Sequence, residues 1–309
     1  MSRLRIATRQ SPLALAQARL VARRIGEALG VECELLPLRT SGDRLKGRLD
    51  KLGGKGLFVK EVEEAVLAGR ADLAVHSGKD LPAISAAGLV LAAIPERADP
   101  RDALVARAHG ETILGLPRGA RVGTGSVRRT AQLLARRPDL QVVPLRGNVE
   151  TRLLKIVEDE LAGVILACAG LERLGLGDRI HERIAPEVML PAVNQGALAL
   201  QTRVESAVAA DLQALSDPDA AACFRAERAF LVRLEGSCNL PLAALAERLP
   251  EERLSLRGLV AAPDGARLVQ GALSAPLDQA ESLGGALADR LRAEGGDAIL
   301  GSLAQEASA

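Results

Sequence analysis

Short apolar runs and helical stripes alternate along the chain. Leu4 to Ala7 reads as a short strand, followed by Thr8-Arg9-Gln10-Ser11-Pro12. Ser11 suits a helix N-cap and Pro12 a first helical residue. Leu13, Ala16, Leu20, Val21 and Ile25 then share one helical face. A second strand is predicted over Glu32 to Leu38. The glycine-rich, basic stretch 41–57, ending Gly53-Gly-Lys-Gly56, predicts a mobile loop. It lacks the Lys-Ser/Thr ending of a nucleotide-binding P-loop. Phe58, Val62, Ala65 and Val66 predict a helix that stops near Gly69. Leu73 to Val75 reads as a buried strand that ends in His76-Ser-Gly-Lys-Asp80, and Pro82 keeps it from continuing.

The second half repeats this logic. After an apolar strand, Gly88 to Ile94, the polar, proline-bounded Pro95 to Pro100 reads as a crossing between domains. Arg121-Val-Gly-Thr-Gly-Ser126 before an Arg-rich helix mirrors Ile6-Ala-Thr-Arg-Gln-Ser11 before its helix. The order helix, Ala-Gly, strand at 58–75 recurs at 149–167. A strand at Leu140 to Leu145 precedes Arg146. Met189 to Gly196 reads as a second crossing that returns the chain to the first lobe. Two related α/β lobes around a hinged cleft follow, without strict periodicity. Near 218 the character changes. A helix over about Ala221 to Leu234, the loop Glu235-Gly-Ser-Cys238-Asn, a hairpin at Leu254 to Ser274 turning on Pro263-Asp-Gly265, and a last helix marked by Leu277, Ala280, Leu287 and Leu291 predict a third, α+β domain. The expected division is 1–95 with 196–216 for lobe 1, 96–195 for lobe 2, and 217–309 for the C-terminal domain.

Composition narrows the function classes. At 309 residues the chain has room for two or three domains. Basic and acidic residues nearly cancel (40 against 39, net +1), so no global field attracts nucleic acid. Three Phe, with no Trp or Tyr, provide no stacking platform for bases. Four Cys and three His show no metal-binding spacing, and no apolar stretch reaches membrane-spanning length. The sequence predicts a cytoplasmic monomer with free thiols and no structural metal.

Local charge is more informative. In an open α/β sheet, ligands bind beyond the carboxyl ends of the strands, where Lys79 and Asp80 fall. Taken alone, they also read as a surface pair in a turn. The two strand–Thr–Ser–helix turns offer free N–H groups to anions. Residues 118–155 hold nine basic and two acidic side chains. Arg128 and Arg129 sit just inside a helix start, where the dipole disfavours cations, and Arg146 follows a strand. An anion site and a solvated basic face both fit this pattern, with the placement of these Arg favouring the first. Cys238, between Ser and Asn in a loop, reads as an idle exposed thiol or as a nucleophile or attachment point.

Together the motifs resemble one family from about residue 4 to the 290s. They are Ile6-Ala-Thr-Arg-Gln-Ser-Pro-Leu-Ala14, Gly53-Gly-Lys-Gly-Leu-Phe-Val-Lys60, His76-Ser-Gly-Lys-Asp80, Asp99-Pro-Arg-Asp102, Gly123-Thr-Gly-Ser-Val-Arg-Arg129, Leu145-Arg-Gly-Asn148, Pro191-Ala-Val-Asn-Gln-Gly196 and Leu234-Glu-Gly-Ser-Cys238. In this order they resemble the porphobilinogen deaminases, or hydroxymethylbilane synthases. The resemblance implies two periplasmic-binding-protein-like lobes and a third domain bearing the cysteine. It implies the head-to-tail joining of four porphobilinogens with loss of ammonia, on a dipyrromethane cofactor held by a thioether to Cys238. Asp80 would be the catalytic carboxylate and Arg9 would assist proton transfer. Ser11, Lys55, Lys79, Thr124, Ser126, Arg128, Arg129, Arg146, Arg152 and Arg173 would bind carboxylates of cofactor or substrate, with Gln195 at the hinge.

Four positions depart from the family pattern. Gly78 stands where Met is usual, Gly125 where Ser is, Asn194 where Gly is, and Asn239 where Gln is. The two glycines are expected to loosen their turns. Asn194 can adopt left-handed backbone. The competing reading is a non-catalytic two-lobed anion-binding protein or an inactive relative. Asp80–Lys79, the Cys238 thiol and the lack of a secretion signal oppose it.

Overall fold

A computed structural model describes residues 3–41, 58–108, 110–234 and 240–308. The loop expected at 41–57, from residue 42 onward, and the cysteine loop 235–239 lie outside the described residues, and with them Lys55, Cys238 and Asn239.

The first lobe is built on β1 (Leu4–Arg9), α1 (Pro12–Leu29), β2 (Cys33–Leu38), α2 (Lys60–Leu67), β3 (Leu73–Ser77) and β4 (Leu89–Ala93). The caps explain α1. Ser11 Oγ accepts the Ala14 N–H at 3.3 Å, Pro12 opens the helix, and Gly30 closes it at φ 64°. Ala14, Ala18, Val21 and Ile25 form its buried face. Helix α2 begins two residues later than predicted, because Phe58 and Val59 form the turn before it.

The chain then leaves for the second lobe: β5 (Asp102–Ala106), β6 (Arg121–Gly123), α3 (Val127–Arg136), β7 (Gln141–Val143), α4 (Val149–Glu158), β8 (Gly163–Ala167), α5 (Cys168–Arg173) and β9 (Glu182–Ile184). It returns for β10 (Leu198–Arg203) and the short α6 (Val208–Leu212). The two sheets have matching strand order, β2-β1-β3-β10-β4 and β7-β6-β8-β5-β9. In each, the third-position strand pairs in parallel with its inner neighbour and antiparallel with a strand delivered by a crossing, β10 in one sheet and β5 in the other. The periodicity predicted neither of these antiparallel strands, nor β9. The predicted strand at Leu140 to Leu145 pairs only over Gln141–Val143.

The third domain consists of α7 (Pro218–Arg233), the antiparallel sheet β11 (Leu242–Leu249), β12 (Arg253–Ala261) and β13 (Leu268–Pro276), then α8 (Ala280–Leu291) and α9 (Asp297–Ser308). Helix α7 starts three residues before the predicted Ala221, because Asp217 caps it and Pro218 opens it. The predicted last helix is followed by another, and β11 was not predicted. One sheet face packs on α7 and α8 around Phe230, Leu254, Leu256 and Leu287. The other places Ala243, Leu245, Leu259 and Ala261 against Ala131 and Leu190 of the second lobe. At the hairpin tip, Gly265 (φ 73°) seats on α3, where a Cβ would come within 2.5 Å of the Ala131 carbonyl. This is the two-lobed α/β architecture with a smaller α+β domain expected from the sequence.

Candidate active site

Strand β3 ends at Ser77 and passes into a single tight turn, Gly78–Asp80, which lies at the carboxyl end of the first sheet. Asp80 and Lys79 therefore project where β1 also ends and presents Arg9. Arg9 Nη1 stands 3.9 Å from Asp80 Oδ2, and its guanidinium carbon lies 4.3 Å from the centre of the Phe58 ring. That contact holds the cation against an apolar face. Arg9, Ser11, Phe58, His76, Lys79 and Asp80 line one pocket.

The hinge enters from the other side. Gln195 Oε1 accepts from Lys79 Nζ at 3.2 Å, and Gln195 Nε2 donates to Asp102 Oδ1 at 2.9 Å and to the Pro100 carbonyl at 2.8 Å. One amide thus bridges a cation of the first lobe to a carboxylate of the second. Asp102 is fully buried. It accepts from Arg128 Nη1 (2.7 Å), Arg129 Nη2 (2.7 Å) and Arg129 Nε (3.0 Å). Burial opposes its charge, but the two guanidinium groups outweigh burial and hold its carboxyl well below the usual range. Arg128 and Arg129, which the sequence reading aimed at an incoming carboxylate, each grip this internal one. Their remaining bonds go to the Leu190 and Ile165 carbonyls. The sequence signal for Asp102 was two arginines inside a helix start, where the dipole alone disfavours them.

Burial pushes the Lys79 ammonium down to about 8. Arg129 and Arg128 push the same way, while Asp80 and Asp102 resist. Burial likewise pushes Arg152 down to about 10, with Arg129 and Arg146 adding to it and Asp80 opposing. Arg152 Nε donates to the Gly147 carbonyl at 2.9 Å, and exposed Arg146 pairs with no carboxylate among the described residues. Arg9, Lys79, Arg129, Arg146 and Arg152 therefore crowd one region, and the carboxylates named in their interactions are Asp80 and Asp102. Such a donor set fits a ligand bearing several carboxylates, as a dipyrromethane does.

Both helix N-termini are in place. Ser126 caps α3 through the Arg129 N–H, and buried Thr124 Oγ1 accepts from Ser126 N at 3.2 Å. Arg173 stands apart from the cluster. It donates to the Gly196 carbonyl at 2.6 Å, and its charged neighbours are Arg24 and Glu172. Glycine at 78 and 125 does not loosen its turn as expected. A Cβ at 125 would meet the Leu145 carbonyl at 2.3 Å, and one at 78 the Asn194 carbonyl at 2.9 Å, so close approach requires glycine at both. Asn194 is left-handed, φ 58°.

Sequence reasoning missed Arg97 and Glu227, which clasp the hinge. Fully buried Glu227 on α7 accepts from Arg97 Nη1 and Nη2 at 2.6 and 3.2 Å and from the backbone N–H of Asn194 (2.6 Å) and Ala246 (2.8 Å). Arg97 Nε donates to the Gln195 carbonyl at 2.8 Å. The clue was an acidic residue on the otherwise small and apolar face formed by Ala222, Cys223, Ala226 and Phe230.

Comparison with known proteins identifies the family. Residues 4–211 match the family model of the porphobilinogen deaminase dipyromethane cofactor binding domain, and residues 221–293 that of the porphobilinogen deaminase C-terminal domain. The chain belongs to the porphobilinogen deaminase family. The porphobilinogen deaminase of Syntrophotalea carbinolica is 52% identical over 98% of this chain and 96% of its own. That of Geobacter sulfurreducens is 48% identical over 99% and 96%. Among solved structures, the periplasmic aliphatic sulphonate binding protein SsuA of Escherichia coli overlays with a TM-score of 0.41 at 14% identity, over 76% of this chain and 71% of its own. That likeness is too loose to bear on the site. Among the described residues no helix is long and apolar enough to cross a membrane.

Proposed function

We propose that this chain is a porphobilinogen deaminase, joining four porphobilinogens head to tail with release of ammonia into the linear tetrapyrrole hydroxymethylbilane. The observation that carries the reading is Asp80 set among crowded cations at the end of β3, with Lys79 linked through Gln195 to the second lobe. Porphobilinogen carries two carboxylates per pyrrole, so a growing chain brings many anions to one cleft. Arg9, Lys79, Arg146 and Arg152, with the N-terminal turns at Ser11 and at Thr124–Ser126, would bind them. Arg128 and Arg129 contribute positive potential from their seat on Asp102. Arg173 would serve from the hinge, and Lys55 from the loop outside the described residues.

When bound, a dipyrromethane joined to Cys238 through a thioether would supply the carbon to which the first substrate is linked. The rest falls to this chain's own residues. The C–N bond to the substrate's amino group breaks, and the amine leaves as ammonia after protonation. The cation left on the substrate is conjugated with its pyrrole nitrogen. Asp80 stabilises that cation with its negative charge, and takes up the proton lost when the new C–C bond forms. Arg9, held on Phe58, orients Asp80 and assists proton transfer to the leaving amine. In this reading the enzyme works as a cytoplasmic monomer on a small-molecule substrate, without nucleic acid or membrane, in keeping with a net charge of +1.

The test is the intact mass of the purified protein before and after Cys238→Ser, with and without incubation with porphobilinogen. A surplus equal to two linked pyrroles, lost in the variant, is expected. An unmodified wild-type chain that gains no adduct on incubation refutes the proposal and favours the non-catalytic reading.

A further inference from the structure

Asn194 carries two costs that its surroundings leave unrelieved. It is a side-chain-bearing residue in left-handed backbone, φ 58°. Its Oδ1 is buried with no hydrogen-bond partner among the described residues. Left-handed backbone disfavours a Cβ, although Asn bears it better than most residues. A buried carbonyl without a donor loses its hydration and gains nothing in return. Features of this kind persist where surrounding structure imposes them, and they cluster at functional sites.

The surroundings do impose it. The Asn194 N–H donates to buried Glu227 at 2.6 Å, and its carbonyl accepts from Ala197 at 3.3 Å. Residue 194 then lies directly against Gly78, the residue before Lys79. A Cβ placed on Gly78 would stand 2.9 Å from the Asn194 carbonyl, 3.0 Å from the Asn194 Cβ and 2.9 Å from the Phe224 ring. The turn that aims Lys79 and Asp80 has no side chain at its first position. The space such a side chain would fill is taken from outside, by Asn194 and Phe224.

We propose that Asn194 is a positioning residue: its side chain and carbonyl buttress Gly78 and so fix the direction of Lys79 and Asp80, at the expense of stability. The role assigned to Lys79 and Asp80 rests on the active-site reading above; the packing does not.

The test uses the full chain with Asn194→Gly, Gly78→Ala and both together. Three properties are measured: melting temperature, kcat and KM on porphobilinogen, and the pH midpoint at which acetic anhydride modifies Lys79, followed by peptide mass spectrometry. Around that amine stand Asp80 on its own turn, Arg128 and Arg129 on α3, Asp102 on β5 and the Gln195 amide. Asn194→Gly removes the strain and the orphaned carbonyl, so its melting temperature is expected to hold or to rise by about 2 °C. Its kcat is expected to fall at least ~10-fold, because misplacing a catalytic group by about 1 Å costs on that order or more, and its KM is expected to rise, because Lys79 is assigned to substrate carboxylates. The Lys79 midpoint is expected to move up, toward that of an exposed lysine. Gly78→Ala alone should lower both kcat and melting temperature. Added to Asn194→Gly it should lower kcat and melting temperature further, because the Asn194 carbonyl and the Phe224 ring still stand 2.9 Å from the added methyl, but by less than the two single losses together, since the 3.0 Å contact with the Asn194 Cβ is gone.

A kcat within about twofold of wild type with an unchanged Lys79 midpoint overturns the proposal. So does a kcat loss that tracks a fall in melting temperature, or strict additivity in the double variant. If the wild-type chain turns over no porphobilinogen, the functional reading fails, while melting and Lys79 labelling still decide the packing role.

Discussion

Replacing Glu227 by Ala is expected to unfasten the third domain from the hinge. The carboxylate is fully buried and accepts from Arg97 twice, from the Asn194 N–H and from the Ala246 N–H. Removing it leaves a guanidinium that is itself only 12% exposed, together with two buried backbone donors. Breaking a buried ion pair on one side costs roughly 3–5 kcal/mol. A stranded buried donor costs about 1–3 kcal/mol, and the two costs overlap, since water can enter the space vacated. About 5 kcal/mol is a reasoned total, comparable with the whole stability of a small domain. Glu227→Gln keeps the shape and one acceptor and should lose roughly half as much. Hydrogen exchange followed by mass spectrometry reads this locally. The amides of Asn194 and Ala246 should exchange about three and a half decades faster in the Ala variant, since each 1.4 kcal/mol is tenfold. Urea unfolding followed by circular dichroism should show an early transition. If both amides keep their protection and the urea midpoint shifts by the equivalent of less than ~1 kcal/mol, the clasp is not what joins the third domain to the hinge.

Two further outcomes follow from the site. Asp80→Ala should abolish porphobilinogen consumption while leaving the melting temperature within about 2 °C, because Asp80 is a partly exposed group whose ion pair among the described residues is long, at 3.9 Å; persistent turnover would remove Asp80 from its assigned role. His76 is buried against Gln201 Oε1 at 3.0 Å, and burial pushes its imidazole down to about 4 from 6.5. Between those values the unfolded chain binds a proton that the folded one does not, so stability is full above pH 6.5 and falls as pH drops toward 4, by roughly 3 kcal/mol at the limit. Urea unfolding at pH 7 and pH 4.5 should show the loss in wild type and a smaller one in His76→Gln; equal losses would refute the assignment to His76.

Much of the first lobe could be read from the chain. The Ser11-Pro12 helix start, the buried run into β3 and the turn at Gly78–Asp80 rest on local rules: a cap needs a side-chain oxygen, Pro fits a first turn, and a strand cannot run through a proline. The crossings at Pro95–Pro100 and Met189–Gly196 were legible for the same reason. The antiparallel strands β5 and β10 were not. Each has partners that lie far off in sequence: Asp102 pairs opposite Ala167, and Leu200 opposite Val75. Register of that kind is set by the neighbour, not by the strand. Nor could the chain show that β11 completes the third sheet, because the hairpin signal marks a turn and is silent about a third strand.

The site divides along the same line. Residue types and order along the chain determined which groups carry charge and which turns end strands: Arg9, Lys79, Asp80 and the Arg-rich helix start all follow from sequence, while the place of Gln195 at the hinge came from the family resemblance. Only the tertiary structure decided how the charges pair. It gave Arg128 and Arg129 to Asp102, set Arg173 at the hinge beside Gly196, and tied Asn194 to Glu227 on a helix 33 residues away. Local structure depends on neighbours a few residues apart, which a sequence displays. A long-range ion pair depends on which carboxylate the fold leaves within 3 Å of a guanidinium in a dry interior, and one residue among 39 acidic ones carries no mark of that until the chain has closed around it.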